Sequence, residues 1–219
     1  MELSYWESRW NKEKTGFHMP EGYPGLRAYW PALELPSHPR VLVPLCGKTV
    51  DMIFLEGQGA DVVGVEISEK AILSFLNEHN RRFETREYAE FKIYTTGTIE
   101  FWQGDFLKYP QQKTGFDLIY DKAALVALPP HKRRAYSDKL LTFAGPQTSI
   151  LLHHFIYPQD EMPGPPFSVA RQEINEYFSD LFKITLLKEN QIPSNHFVPF
   201  RRRGLKSPLI EHLLFLKPR

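Results

Sequence analysis

The sequence predicts an α/β fold with a doubly wound, mostly parallel sheet, and three observations carry that prediction. Apolar runs such as Val41-Leu42-Val43-Pro44-Leu45 are continuous rather than alternating, as strands buried on both faces require. Segments with helical spacing follow them, and polar or acidic residues stand where the runs stop. The 219 residues suit one sizeable core, so a single domain is expected over 1–219, with 1–39 preceding an α/β core at 40–219.

The elements follow in order. After the strand at 41–45, Met52, Ile53 and Leu55 fall near helical spacing over 51–58, and Gly57 and Gly59 supply the stop. Asp61-Val62-Val63-Gly64-Val65-Glu66 is the second strand. Ser68-Glu69 opens a helix through residue 80, with Ala71, Ile72, Phe75 and Leu76 on one face. Residues 92–95 and 99–103 flank Thr96-Gly97 as the arms of a hairpin. Further strands are expected at 116–121 and 149–155, with a helix between them at 130–141 whose Lys132, Arg133 and Arg134 form a basic exposed face. Residues 157–168 read as a Pro-rich loop and 169–181 as helical. Residues 183–188 and 209–216 would close the sheet as an antiparallel pair.

Charge and composition exclude several functions. Lys and Arg (27) nearly balance Asp and Glu (26), so the broad positive field of a non-specific nucleic-acid binder is missing. No window reaches the roughly 20 apolar residues of a membrane span, and the start of the chain lacks a basic segment followed by an apolar one. The lone Cys46 and the absence of zinc spacing fit a reducing, cytoplasmic setting without a structural metal. A monomer is expected. Arg201-Arg202-Arg203 reads as a solvated loop or the edge of a substrate lid, and His131 and Asp138 as surface helix residues.

Ligands of doubly wound sheets lie beyond the carboxyl ends of the strands, which selects 45–49, Glu66, 104–106 and 121–122. Glu66 stands about 20 residues beyond the first strand–helix turn, where a carboxylate accepts hydrogen bonds from ribose hydroxyls; capping the helix after Ser68 is the alternative. Gly47-Lys48-Thr49 is no phosphate loop, because Leu42 occupies the position that needs glycine, and no G-x-G-x-x-G occurs. A phosphate-free nucleoside cofactor, S-adenosylmethionine, fits better. Asp105 and Phe106 would serve its adenine or simply cap a strand. Trp6, Trp10 and Phe17 would roof a sulfonium by cation–π attraction, or pack an amphipathic helix onto the domain.

Five blocks then carry a more specific signal: Trp6-Glu7-Ser8-Arg9-Trp10 through Thr15-Gly16-Phe17-His18; Val43-Pro44-Leu45-Cys46-Gly47-Lys48; Val63-Gly64-Val65-Glu66-Ile67-Ser68; Asp121-Lys122-Ala123-Ala124-Leu125-Val126-Ala127-Leu128-Pro129-Pro130; and Gly164-Pro165-Pro166-Phe167-Ser168-Val169. In this order they resemble the thiopurine S-methyltransferase family. The resemblance implies a Rossmann-like class I methyltransferase with a seven-stranded sheet and an N-terminal helical or loop cover over the cofactor. It implies S-adenosyl-L-methionine as donor, S-adenosyl-L-homocysteine as product and a small thiol, thiopurine or other soft nucleophile as acceptor. A non-catalytic S-adenosylmethionine-binding protein is the rival from another class.

By matching positions, the resemblance places Trp6, Trp10, Phe17, Leu45, Gly47, Glu66, Asp105, Phe106 and Lys122 at the cofactor, with Phe17 and Lys122 also positioning the acceptor. The family usually has arginine where this chain has Lys122, which keeps the charge and loses the planar fork. His153-His154 would pack or touch the acceptor. Cys46 reads as a structural thiol. The 164–169 loop reads either as a lid or as a rigid turn. No general base is required for the reaction.

Overall fold

The computed structural model describes residues 3–12, 16, 18–111, 115–193 and 198–219, with backbone alone at 3 and 4. The chain divides into two compact units, 1–119 and 120–219.

In the first unit, helices α1 (Leu3–Asn11) and α2 (Pro24–Tyr29) precede β1 (Arg40–Pro44), α3 (Asp51–Gly57), β2 (Asp61–Glu66) and α4 (Glu69–Glu78). A three-stranded antiparallel meander of β3 (Glu84–Tyr88), β4 (Phe91–Thr96) and β5 (Ile99–Gln103) completes it. β1 and β2 pair in parallel, as do β2 and β5. Val41, Leu42, Val43, Val62, Val63 and Val65 are all buried, so the continuous apolar runs do mark strands covered on both faces. Ser68 Oγ accepts the Ala71 amide at 3.3 Å and starts α4 as an N-cap. Ala71, Ile72, Phe75 and Leu76 form the buried face expected of that helix. At the hairpin, Gly97 takes φ +59°, a left-handed conformation that glycine adopts without a Cβ penalty.

β6 (Leu118–Lys122) pairs in parallel with β1 and crosses from the first unit into the second. There follow α5 (Pro130–Leu141), β7 (Ser149–Ile156), α6 (Arg171–Phe178), β8 (Phe182–Ile192), the short α7 (Val198–Arg201) and β9 (Leu209–Pro218). β7 and β8 both pair antiparallel with β9, and a bulge at 186–188 shifts the β8 register.

The described residues form nine strands in the order β3-β4-β5-β2-β1-β6-β7-β9-β8. That corrects the expected seven. The sheet is parallel at its centre and carries antiparallel strands at both ends, and β3 is among the additions. All five β3 residues are exposed, so this edge strand shows no apolar periodicity by which to recognise it.

A second correction concerns α5. Arg134 is exposed as expected and Lys132 is half-buried, but the Arg133 side chain is only 2 % exposed. Its Nε donates to Leu128 O at 3.0 Å, one terminal nitrogen pairs with Glu173 at 2.8 Å, and the other donates to Ser168 O at 3.0 Å. A charge is tolerated inside because each edge of its fork meets an acceptor. The helix expected over 169–181 is also shorter, since Arg171–Phe178 is flanked by an extended Ala170 and by turns.

Candidate active site

In the first unit, three parallel strands end side by side, with Pro44 level with Val65 and Glu66 level with Gln103. The turn after β1 begins with Leu45 at φ +49° and reaches Gly47 at φ +54°. A left-handed leucine is costly and persists only where its surroundings hold it. Glu66 is part of what holds this turn: its Oε2 accepts the Gly47 amide at 2.8 Å. Its Oε1 accepts the Ser68 amide at 2.8 Å, and its backbone carbonyl accepts the Gly104 amide at 2.9 Å. One residue therefore ties the turns after β1, β2 and β5 together.

Glu66 is 5 % exposed, and its carboxyl is pushed up by burial, then drawn back by the amides of Ser68, Gly47 and Ile67. A carboxylate offers about four acceptor sites, and three amides do not exhaust them, so acceptor capacity remains. The helix-capping and ligand readings of Glu66 are thus compatible. It is anchored by amides and still able to accept.

Close packing sets the shape of this turn. A Cβ on Gly47 would lie 3.1 Å from Trp10 Cζ2, which places the Trp10 ring, 4 % exposed, directly against it. α1 thereby covers the first strand–helix turn, and Lys70 Nζ donating to Asn11 O at 3.4 Å ties its end to α4. Trp6 is half-buried and meets Tyr5 edge-on at 5.2 Å. Phe17 lies outside the described residues. Asp105 caps the turn Phe106–Lys108 by accepting the Leu107 amide on Oδ1 at 3.0 Å, and Phe106 is buried.

Beneath the turn, a Cβ on Gly64 would lie 2.7 Å from Cys46 Sγ and 2.9 Å from Met52 Cε. Cys46 is buried, and burial pushes its thiol well above the ordinary range, as suits a packing residue. Gly64→Ala is expected to cost about 1–3 kcal/mol by overpacking. Thermal unfolding would check this. The Cys46→Ala change in the same chain should recover part of the loss, and equal losses with and without it would refute the contact.

In the second unit, Asp121 is fully buried at the end of β6. Its Oδ1 accepts the Ala124 and Leu125 amides at 2.9 and 3.2 Å, and Oδ2 accepts the Tyr136 hydroxyl at 2.8 Å. Burial pushes its carboxyl up to about 6. These bonds secure a turn in which Ala123 takes φ +60°. Strand alternation sends the half-buried Lys122 to the face opposite Asp121.

His153 and His154 are both buried. His153 Nε2 lies 2.8 Å from Glu211 Oε1, and the ring meets Phe155 edge-on at 4.8 Å. On the other face, His154 Nδ1 bonds Val169 O at 3.0 Å, and its ring packs on His212. Hydrogen bonds from several segments hold the 164–169 loop in the position described. Arg203 donates to Pro165 O at 2.7 Å, Tyr157 to Pro166 O at 2.6 Å and Arg133 to Ser168 O. The Phe167 and Val169 amides bond Val126 O and Phe155 O. Arg203 therefore serves the loop edge. Among the described residues no group of three or more potential ligands is placed to hold a metal, and no helix is long and apolar enough to cross a membrane.

A family model described as thiopurine S-methyltransferase matches residues 1–208. The chain belongs to this family. Thiopurine S-methyltransferases from Nitrosospira multiformis and Legionella pneumophila are 39% and 42% identical to it, the first covering 100% of this chain and 99% of the relative, the second 88% and 89%. Among solved structures, a SAM-dependent methyltransferase from Anabaena variabilis has a TM-score of 0.65 at 15% identity, covering 99% of this chain and 95% of the other. A Burkholderia thailandensis 1,6-didemethyltoxoflavin-N1-methyltransferase, solved with S-adenosylhomocysteine, has a TM-score of 0.62 at 16% identity, covering 99% and 86%. The fold is that of class I methyltransferases, and this thiopurine S-methyltransferase family member is an S-adenosylmethionine-dependent enzyme.

Sequence reasoning singled out Glu66, Gly47, Leu45 and Trp10, and the structure brings them to one turn. It missed the Ser68 and Gly104 amides, because any residue supplies an amide. It also missed Glu211, whose signal was an acidic residue inside the apolar run Leu209-Ile210-Glu211-His212-Leu213-Leu214.

Proposed function

We propose that this enzyme transfers a methyl group to a small thiol of thiopurine or other aromatic or heterocyclic type. The observation that carries the cofactor site is the buried Glu66 carboxylate, held by the Gly47 and Ser68 amides at the end of β2 with acceptor capacity left for a ribose. The residues fit the donor: Glu66 would accept the ribose hydroxyls, the Leu45–Gly47 backbone and the Trp10 ring would line the amino-acid end, Trp6 and Phe17 would extend that cover, and Asp105 and Phe106 would serve the adenine. The donor supplies an electrophilic methyl on a sulfonium. The thiol reading is supported by the names of the relatives and by the cation at Lys122.

The protein's work is positional. Attack by sulfur on a methyl carbon needs alignment rather than a covalent enzyme intermediate, and orientation in a dry site supplies up to about 7–11 kcal/mol. Lys122 would hold the acceptor as its thiolate, since a neighbouring cation lowers a thiol pKa. No residue is assigned as a general base. Residues 1–39 would act as the cofactor cover of one functional domain.

The test is a methyl-transfer screen with radiolabelled S-adenosylmethionine against aromatic thiols, hydrosulfide, iodide, selenite and tellurite. Aromatic thiols should exceed the others in kcat/KM by at least about tenfold. Preference for hydrosulfide, a halide or a chalcogen anion would replace the acceptor assignment, and silence across the screen despite cofactor binding would favour a non-catalytic binding protein.

A further inference from the structure

Among the described residues of the first unit, Glu66 has one buried acidic companion, Asp51, which the methyl-transfer reading does not use. Asp51 opens α3 and is 1 % exposed, and Met52 and Leu55 of the same helix are buried. Its carboxyl reaches two segments. Oδ1 accepts the Tyr23 amide at 2.7 Å, and Oδ2 accepts the Thr49 hydroxyl at 3.1 Å. Thr49 Oγ1 in turn accepts the Asp51 amide at 3.3 Å, so this second link is reciprocal.

Each end of this bridge is itself fixed. The Thr49 amide donates to Cys46 O at 3.2 Å and the Cys46 amide to Val65 O at 3.2 Å, which joins Asp51 to the Leu45–Gly47 turn and to β2 just before Glu66. On the other side, residues 21–23 wrap onto the carboxyl. Gly22 takes φ +73°, and a Cβ there would lie 2.5 Å from Asp51 Oδ1 and 3.3 Å from Val50 Cγ1, so only glycine lets the chain come this close. The Gly22 amide donates to Met19 O at 3.0 Å, Arg27 donates to Glu21 O at 2.9 Å, and Tyr23 is buried. A buried amide needs an acceptor, and the one that meets Tyr23 stands on the helix into which the turn after β1 leads.

We propose that Asp51 is a positioning residue for the donor: it couples the 21–23 segment to the 45–49 turn, so that binding of S-adenosylmethionine at the turn and seating of that segment strengthen each other. Energetic coupling travels through chains of bonded groups, and it is reciprocal by thermodynamic necessity. The chain here runs from the Tyr23 amide through the Asp51 carboxyl and the Thr49 hydroxyl to the Thr49 amide and the Cys46 carbonyl. A carboxyl that served only the start of α3 would place no demand on residue 22. This inference rests on the donor lying against the 45–47 backbone, as proposed above.

Amide hydrogen exchange with and without S-adenosylhomocysteine tests it. In the parent, the ligand should slow exchange of the Tyr23 amide by at least about fivefold. Thr49→Val keeps the bond between Tyr23 and Asp51 and cuts the link to the turn. The Tyr23 amide should then stay protected without ligand, the added slowing should fall below about twofold, and calorimetry should show S-adenosylhomocysteine binding about fivefold more weakly. Asp51→Leu should lose as much affinity, and Asp51→Asn, which can accept the Tyr23 amide and donate to Thr49 Oγ1, should recover most of it. Thr49→Val with either the affinity or the added slowing unchanged would mark Asp51 as merely architectural and overturn the proposal, as would Asp51→Asn binding no better than Asp51→Leu. Should Asp51→Leu fail to fold, Thr49→Val decides by itself. In the parent, slowing at Gly47 and Ser68 without slowing at Tyr23 overturns this proposal alone, whereas slowing at none of the three removes the donor site itself.

Discussion

Glu66→Ala is expected to abolish measurable binding of S-adenosylhomocysteine in calorimetry, with a loss of at least about 100-fold in affinity. Two hydrogen bonds from ribose hydroxyls to an ionised carboxylate are worth about 1.5–3 kcal/mol each, so their joint loss exceeds about 3 kcal/mol. The change also strands the Gly47 and Ser68 amides that now donate at 2.8 Å, and an unsatisfied buried donor costs about 1–3 kcal/mol. The turn that carries Leu45 at φ +49° would then lose one of its anchors. Glu66→Gln separates the two effects, because the amide side chain keeps one acceptor for a backbone donor and forfeits the charge. It should bind more weakly than the parent and more tightly than Glu66→Ala. Affinity of Glu66→Ala within about twofold of the parent would remove the ribose assignment.

The largest effect on stability is expected at Arg133. Changing it to Met removes the cation paired with Glu173, which keeps only the Tyr177 hydroxyl at 2.8 Å, and strands Leu128 O and Ser168 O, which the guanidinium now serves at 3.0 Å each. Breaking a buried ion pair from one side costs about 3–5 kcal/mol. For a chain of this size that corresponds to a fall in Tm of about 6–20 °C. Arg133→Lys should recover little, because one ammonium on a flexible stem cannot meet three acceptors spread around a planar fork. Denaturant unfolding measures the loss directly, and a cost below about 1 kcal/mol would mean that the buried charge is redundant.

The two residues differ in how well the sequence announced them. Glu66 was legible because its position at the end of an apolar run, a fixed distance past the first turn, is a property of local order along the chain. The same holds for the paired β1 and β2 and for α4, where apolar spacing and the Ser68 cap are sequential features. Arg133 was misread as surface because its neighbours Lys132 and Arg134 are basic and its acceptors lie at Leu128, Ser168 and Glu173. The last two are 35 and 40 residues away, beyond any window of helical periodicity. β3 failed for the opposite reason. Its residues are exposed on both faces, so pairing with β4 rather than burial makes it a strand.

By itself the sequence determined the α/β class, the order of most strands and helices, the family blocks and the acidic residue at the end of the second strand, since each depends on which residues are near one another along the chain. Only the tertiary structure decided that Glu66 bridges the Gly47 and Ser68 amides, that the sheet has nine strands, that Arg133 lies inside and that His153 meets Glu211. Those outcomes depend on partners from distant segments, and a buried polar group is tolerated only where the fold delivers such a partner to it.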